Sequence, residues 1–331
     1  MPKHETIRIL QTDLLAHPAV QAWRELQSVR VEPERIEILK GRLPDQTARK
    51  NRFVCRLVGV GPTGSAVIGK RCRLRHAVIE STIYDDILPY LPIPSLNFYG
   101  MVEDANGDYC WLFLEDAGEE AYSAHVAEHR TLSAQWLGLV HTSATPVTAP
   151  ACLPDKGPKH YLNRLQSARD TILRQLVNHA LQAHNLAPLE AIVYQYDVLE
   201  SHWDQVAEFC DGIPQTLVHG DFAARNLRVR RSQDGMELLT FDWGEAGWGV
   251  PATDVRAEDV AAYWSVVRKY WPWLNVQAIQ RLAIVGKIFR SLDAIYWELF
   301  SFKYAYPWLK RSMSIYQSSL AEAIRAAGFE G

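Results

Sequence analysis

The stretch Leu217–Val229 sets His219, Gly220 and Asp221 side by side between two apolar runs, and Asn226 stands five positions beyond the Asp. Read plainly, this is a hairpin with a polar turn. Read chemically, it is a loop that aims a carboxylate and an amide into one place. Moving a phosphoryl group from ATP to a hydroxyl needs charge neutralisation and alignment more than covalent help. One carboxylate must orient the attacking hydroxyl and take its proton. Hard oxygen ligands must hold Mg2+ on the phosphates. An ammonium must grip the phosphates that stay behind, and a second carboxylate must hold that ammonium. The chain has a candidate for each part: Asp221 for the hydroxyl, Asn226 and Asp242 for the metal, Lys70 for the phosphates and Glu80 for Lys70. Alone, a strand Lys is usually a solvated edge residue and a helix Glu a surface one, so Lys70 and Glu80 gain meaning only as a pair. A metal-dependent hydrolase built on His219 and Asp221 would need a further His or carboxylate pair at ligand spacing, and none stands near the loop.

These residues require elements to position them. The runs 35–41, 52–61 and 65–72 are short and β-rich, with a Gly-Pro-Thr-Gly turn at 61–64, and read as an antiparallel meander. Lys70 falls on the third run. Val78, Ile79, Ile83, Ile87 and Leu91 then recur at threes and fours, which predicts a helix with Glu80 in its first turns. Two more strands follow, joined at the turn 104–108, the second running through 110–116. Up to about Asp116 the order is β, β, β, α, β, β. Beyond it, helices are expected over 131–144, 159–184 and 189–209, then a β-rich interruption carrying Asp221, Asn226 and Asp242, then helix to the end. The residues up to about Gln27 read as a short helix.

The 331 residues exceed one typical core, so two lobes or one large domain are expected. A formal net charge of −3 makes a nucleic acid an unexpected partner. The basic run 69–76 reads as a solvated face or as a lining for one phosphate-bearing ligand. Five Cys without a Cys-x-x-Cys pair argue against a disulfide framework and a zinc knuckle, and fit reduced structural thiols. The first residues lack the apolar run of a signal peptide, and no stretch reaches the roughly 18 apolar residues of a membrane helix. A soluble, cytoplasmic protein with no membrane partner is expected.

In this order, the motifs make the chain resemble the aminoglycoside phosphotransferase and choline kinase family, small-molecule relatives of the protein kinases. The family's His-Gly-Asp, four variable residues and Asn stand here as His219 to Asn226, its Asp after an apolar strand as Asp242, and its later Gly-to-Asp element as Gly247 to Asp254. Glu80 with Tyr84, Phe113–Asp116 and the helix near His141 also fit, so the likeness covers about 35–300. It implies an α+β, bilobal protein-kinase-like fold, with a β-rich N-lobe holding one key helix and a mainly helical C-lobe. The lobes are expected at 1–116, with 1–30 a helical extension, and at 117–331. It implies ATP between the lobes, with adenine against the Leu114–Ala117 backbone, so that Glu115 and Ala117 join Lys70, Glu80, Asn226 and Asp242 as nucleotide-binding residues. It implies Mg2+ on Asn226 and Asp242, Asp221 as catalytic base, and supporting roles for His219 and Asp254. One departure is plain: the phosphate-covering loop at 41–53 has only Gly41, with Lys50 or Arg52 left to help.

The acceptor is expected to be a small hydroxyl compound. Asp155, Glu190, Asp197, Glu200, Asp204, Glu208, Glu245 and Glu258, with many Trp and Tyr, favour a cationic one such as an aminoglycoside. Choline, ethanolamine or another small metabolite is the alternative. A nucleotide-binding pseudokinase acting through a partner is the alternative of another class, although every expected catalytic position is filled. ATP and GTP, and monomer and homodimer, remain open alternatives.

Overall fold

The computed structural model describes residues 7–27, 31–40, 53–104, 106–145, 147, 149–177, 187–233, 235–299 and 307–329. The expected phosphate-covering loop, including Lys50 and Arg52, lies outside the described residues. The chain forms two compact units, Met1–Ala124 with Ala223–Ala246, and His125–Phe222 with Gly247–Gly331. Thus 223–246, which a boundary near 116 assigns to the second lobe, clusters with the first unit.

The first unit is built on a six-stranded antiparallel sheet. Its strands are β1 (Arg8–Leu10), β2 (Arg35–Lys40), β3 (Phe53–Val58), β4 (Val67–Arg73), β5 (Phe98–Glu103) and β6 (Tyr109–Glu115), ordered β1-β2-β3-β4-β6-β5. The N-terminal stretch is therefore more than the helix expected: Arg8 pairs with Ile38 and adds an edge strand before α1 (Pro18–Leu26). A three-residue strand is too short to reveal itself by alternation.

Alternation along the longer strands sorts the sheet's two faces. Val67, Cys55, Trp111 and Phe113 pack with Trp23 of α1, whose ring meets Phe113 at 5.1 Å. Cys72, Cys110 and Leu112 point the other way, against Ala77 of α2 (Leu74–Thr82). Lys70 pairs with Val54 and Leu112 and shares parity with Cys72, so it stands on the α2 side. The expected single helix to Leu91 does not stay regular. After Thr82 it widens into a π-helical turn over Ile83–Ile87 and tightens into a short turn at Leu88–Tyr90. Pro89 lacks the amide that would continue it. The unit also contains an antiparallel hairpin of the strands Leu227–Ser232 and Gly235–Thr240.

The second unit is mainly helical. It holds α3 (Ala127–Ala144), a two-residue strand Asp155–Lys156, α4 (Pro158–Leu176), α5 (Ala187–Ser201), α6 (Trp203–Asp211) and a strand Thr216–Val218. After the first unit's hairpin come a strand Gly247–Gly249, α7 (Val260–Val267), α8 (Val276–Leu299) and α9 (Pro307–Ala327). In chain order the strands are β7 (Asp155–Lys156), β8 (Thr216–Val218), β9 (Leu227–Ser232), β10 (Gly235–Thr240) and β11 (Gly247–Gly249); the hairpin of the first unit is thus β9–β10. The helix expected over 189–209 breaks at His202, whose backbone leaves helical geometry between α5 and α6. That expected over 159–184 is α4, and 178–186 lie outside the described residues.

The small sheet β7-β11-β8 carries the loop after Val218. Glycines make it possible. A Cβ at Gly249 would lie 2.4 Å from the Lys156 carbonyl carbon, and one at Gly247 would lie 2.4 Å from the Pro154 oxygen. Behind it, the Tyr161 ring of α4 stacks on Phe289 of α8 at 3.9 Å. All five Cys are free; Cys55, Cys72, Cys110 and Cys210 are buried, and burial pushes the Cys55 and Cys210 thiols up to about 12. Among the described residues, no helix is long and apolar enough to cross a membrane.

Candidate active site

In the first unit, Lys70 of β4 donates to Glu80 Oε2 at 2.5 Å and to Asp242 Oδ1 at 2.7 Å. Glu80 is fully buried on α2. Burial works against the ammonium, yet the two carboxylates overcome it and raise the Lys70 pKa. A Lys flanked by two carboxylates is held charged and in one position. Tyr84, about one turn beyond Glu80 in the π-helical turn, stacks on Phe98 at 5.7 Å and donates to the Thr240 carbonyl at 3.4 Å, tying the end of α2 to β10.

Asn226 and Asp242 are brought to one end of the β9–β10 hairpin. The ladder closes at Leu227 opposite Thr240, and one step further the Phe241 amide donates to the Asn226 carbonyl at 3.2 Å. Asp242 then turns left-handed, with φ 67° and ψ 53°. Asp tolerates this region better than most residues, but it costs energy, and such positions concentrate at functional sites. Asn226 is buried and the Asp242 carboxylate is partly exposed. An amide oxygen and a carboxylate fit Mg2+, which takes one or two protein oxygens and completes its shell with phosphates and water. No cluster of three His, Cys, Asp or Glu that could hold a metal by itself occurs among the described residues.

The acidic side chains of Glu115 and Asp116 are engaged in holding their own segment. Glu115 accepts from Asn97 Nδ2 at 2.8 Å and from Arg230 at 2.6 Å; Asp116 accepts from Arg56 at 2.6 Å. The Glu115 amide donates to the Asn97 carbonyl at 2.8 Å. The Glu115 amide is thus engaged within the sheet. Arg56 and Arg230 are positioning residues that the motif reading missed, because isolated arginines 60 and 115 residues from their partners carry no local signal.

In the second unit, β8 delivers His219–Gly220–Asp221. Asp254, 1% exposed, accepts from the His219 amide at 2.7 Å and the Gly220 amide at 3.1 Å. Gly220 has φ 75°, which lets the two amides converge on one carboxylate. The Asp221 amide in turn donates to His219 Nδ1 at 3.3 Å. Phe222 stacks on Trp136 at 5.7 Å and fixes the far side of the loop. Burial alone would raise the Asp254 pKa; its hydrogen bonds and the neighbouring His141 and His219 more than reverse this and lower it. Arg290 of α8 donates to the Thr253 and Val255 carbonyls at 2.7 and 2.9 Å, while burial lowers its own pKa to about 10. His219 is buried beside Phe222 and its amide is braced, a supporting position.

The eight carboxylates expected to attract a cation are not gathered. Asp197 and Glu200 pair with Arg169, and Asp155 accepts from the Gly157 amide at 2.7 Å. Glu190 is exposed on α5, Asp204 and Glu208 are exposed one turn apart on α6, Glu258 is exposed before α7, and Glu245 belongs to the first unit, 3.6 Å from His76.

Residues 63–286 match the model of the phosphotransferase enzyme family. The chain belongs to that family. It is a small-molecule phosphotransferase with the protein-kinase-like fold, a β-sheet unit and a mainly helical one. No curated protein matches it. Solved structures agree on the fold. The choline kinase of Cryptosporidium parvum superposes with TM-score 0.57 at 12% identity, over 89% of this chain and 91% of that one. A GDP and kanamycin complex of an aminoglycoside phosphotransferase gives 0.62 at 11%, over 88% and 95%. A spectinomycin phosphotransferase holding ADP and spectinomycin gives 0.53 at 11%, over 91% and 95%.

Proposed function

We propose that the phosphotransferase moves the γ-phosphoryl group of ATP to a hydroxyl of a small molecule, with Asp221 as the base. The observation that carries this is the Lys70 ammonium held between Glu80 and Asp242, beside the Asn226 end of the hairpin. Lys70 would bind the phosphates that stay with the nucleotide, and Glu80 keeps it aimed. The Glu115 carbonyl and Ala117 amide would take the adenine edge. Asn226 and Asp242 would hold Mg2+, which when bound neutralises charge on the phosphate oxygens. Asp221 would orient the acceptor hydroxyl and accept its proton as the new P–O bond forms and the bond to the β-phosphate oxygen breaks, giving ADP. Asp254 holds the backbone of that loop and touches neither reactant.

A cationic acceptor of the kanamycin, spectinomycin or choline kind is the finer reading the sequence favours, and relatives named for those compounds support it. The dispersal of the acidic side chains counts against carrying it over unchanged. The test is ADP release from Mg-ATP, and separately GDP release from Mg-GTP, against a panel of aminoglycosides, choline, ethanolamine, homoserine and sugars. Acceptor-dependent release that falls by several orders of magnitude in Asp221→Ala, with nucleotide affinity kept, is expected. Undiminished turnover in that variant would remove Asp221 from the mechanism. Tight nucleotide binding without release would favour a pseudokinase.

A further inference from the structure

Asp254 holds the Asp221 loop, and two further buried side chains of the second unit hold Asp254. His141 of α3 is fully buried, and its Nε2 lies 3.5 Å from Asp254 Oδ2. On the other side of the ring, His141 Nδ1 lies 2.9 Å from the hydroxyl of Tyr263, a buried residue of α7. The two rings meet edge to face at 5.6 Å. Gly138, about one turn before His141, lets the helices come this close: a Cβ there would lie 2.8 Å from Val266 Cβ and 3.4 Å from the Tyr263 carbonyl oxygen. The His141 carbonyl also accepts from Thr216 Oγ1 at 2.7 Å, at the start of β8. His141 thus touches both the strand that enters the loop and the carboxylate that binds the loop's amides.

The place of the ring proton follows from these contacts. A neutral imidazole has one N–H and one lone pair, and the bond made by one nitrogen decides what the other carries. Burial first, then Asp254, hold the Tyr263 pKa well above the usual phenol range, so its hydroxyl keeps its proton. With that hydroxyl donating to Nδ1, the ring proton stands on Nε2 and faces Asp254. In the reverse tautomer a lone pair would face the carboxylate at 3.5 Å, between two side chains closed to water. The oxygen that Nε2 approaches, Oδ2, is the one that takes the shorter loop bond, 2.7 Å from the His219 amide.

We propose that Tyr263 is a positioning residue for the transfer reaction: its hydroxyl selects the Nε2-protonated tautomer of His141, which secures Asp254 and, through it, the loop that aims Asp221. The inference rests on the reading of Asp221 as the base. Tyr263 acts only through His141 and Asp254, and its place in the apolar stretch Val260–Val267 gives it no local mark in the sequence.

Tyr263→Phe removes one oxygen and keeps the ring in its packing. In protein labelled with [15N]histidine, the His141 ring signal is the one of eleven that is missing from His141→Phe. The wild type is expected to show a neutral ring protonated on Nε2. Tyr263→Phe is expected to populate the Nδ1 form or to bind a second proton. Hydrogen exchange of the His219 and Gly220 amides should quicken about tenfold in that variant. With an acceptor that supports ADP release, kcat should fall about tenfold while Mg-ADP affinity, by calorimetry, stays within about threefold. In the His141→Phe background, Tyr263→Phe should change neither exchange nor kcat further. A wild-type ring protonated on Nδ1, or on both nitrogens, would overturn the assignment. Exchange and kcat within about twofold of wild type in Tyr263→Phe, or equal losses with and without His141, would overturn it too. The expected tautomer and exchange, without ADP release from any acceptor or with undiminished release in Asp221→Ala, would leave Tyr263 holding the loop and count against Asp221 as the base.

Discussion

Asp254→Asn isolates what the loop support contributes. The carboxylate serves two buried amides, those of His219 and Gly220, with one oxygen each, at 2.7 and 3.1 Å. Asn can offer oxygen to only one of them and sets an NH2 group against the other. The loss is one charge-assisted bond, weakening of the second, and one buried donor left unsatisfied. Together these cost about 3–5 kcal/mol. That is a large part of the roughly 5–15 kcal/mol that holds an ordinary domain. Urea unfolding at pH 7 should show it as a lower midpoint at constant slope. Turnover should fall about a hundredfold at unchanged nucleotide affinity, since displacing the Asp221 loop by about an ångström spoils alignment without touching the nucleotide residues. The pH dependence has a definite sign. The native pKa of Asp254 is lowered below its unfolded value of about 3.9. Its stabilisation is therefore fully present above that unfolded value and is lost as pH falls through the lower native one. The share of the stability gap that belongs to the Asp254 carboxyl itself should persist down to about pH 3.9 and shrink only below it. A gap under about 1 kcal/mol at pH 8 would refute the reasoning.

Two other changes probe the opposite ends of the design. Glu80→Gln leaves Lys70 with Asp242 as its one charged partner, so Mg-nucleotide affinity should fall about tenfold to a hundredfold and stability by about 3 kcal/mol; affinity within threefold of wild type, by calorimetry, would show that Glu80 does not matter to the grip. Gly286→Ala would set a Cβ 1.8 Å from the Ala252 carbonyl oxygen, and α8 or the segment before Asp254 must yield. It should cost about 3 kcal/mol and reduce turnover, read by denaturant midpoint and ADP release; a change under about 1 kcal/mol would mean that the contact relaxes freely.

The candidate site was legible because each member lies on an element with a strong local pattern. Alternation along 65–72 gives Lys70 its face, helical spacing after it brings Glu80 round, and the apolar run before Asp242 ends where the ladder ends. Motif order did the rest. What was not legible depends on pairings with no local trace. The edge strand at Arg8–Leu10 is three residues long, and β7 is two. The break at His202 comes inside an apolar pattern that reads as one helix, since tertiary packing and not propensity divides α5 from α6. Nor does the chain order reveal that 223–246 clusters with the first unit, because Arg230 meets Glu115 across 115 residues.

The acceptor shows the same limit more sharply. Counting Asp and Glu in the second half of the sequence favours a cation, because a count cannot tell which carboxylates are already engaged. The structure pairs Asp197 and Glu200 with Arg169, turns Asp155 on the Gly157 amide, and leaves four others exposed on three elements, Asp204 and Glu208 together on α6. Asp293 of α8, by contrast, is buried, approaches Arg164 at 3.4 Å and lies within the electrostatic reach of Asp221, and no count of carboxylates singles it out. Net charge near a reacting group is set by what remains after internal pairing, and a composition does not contain that remainder.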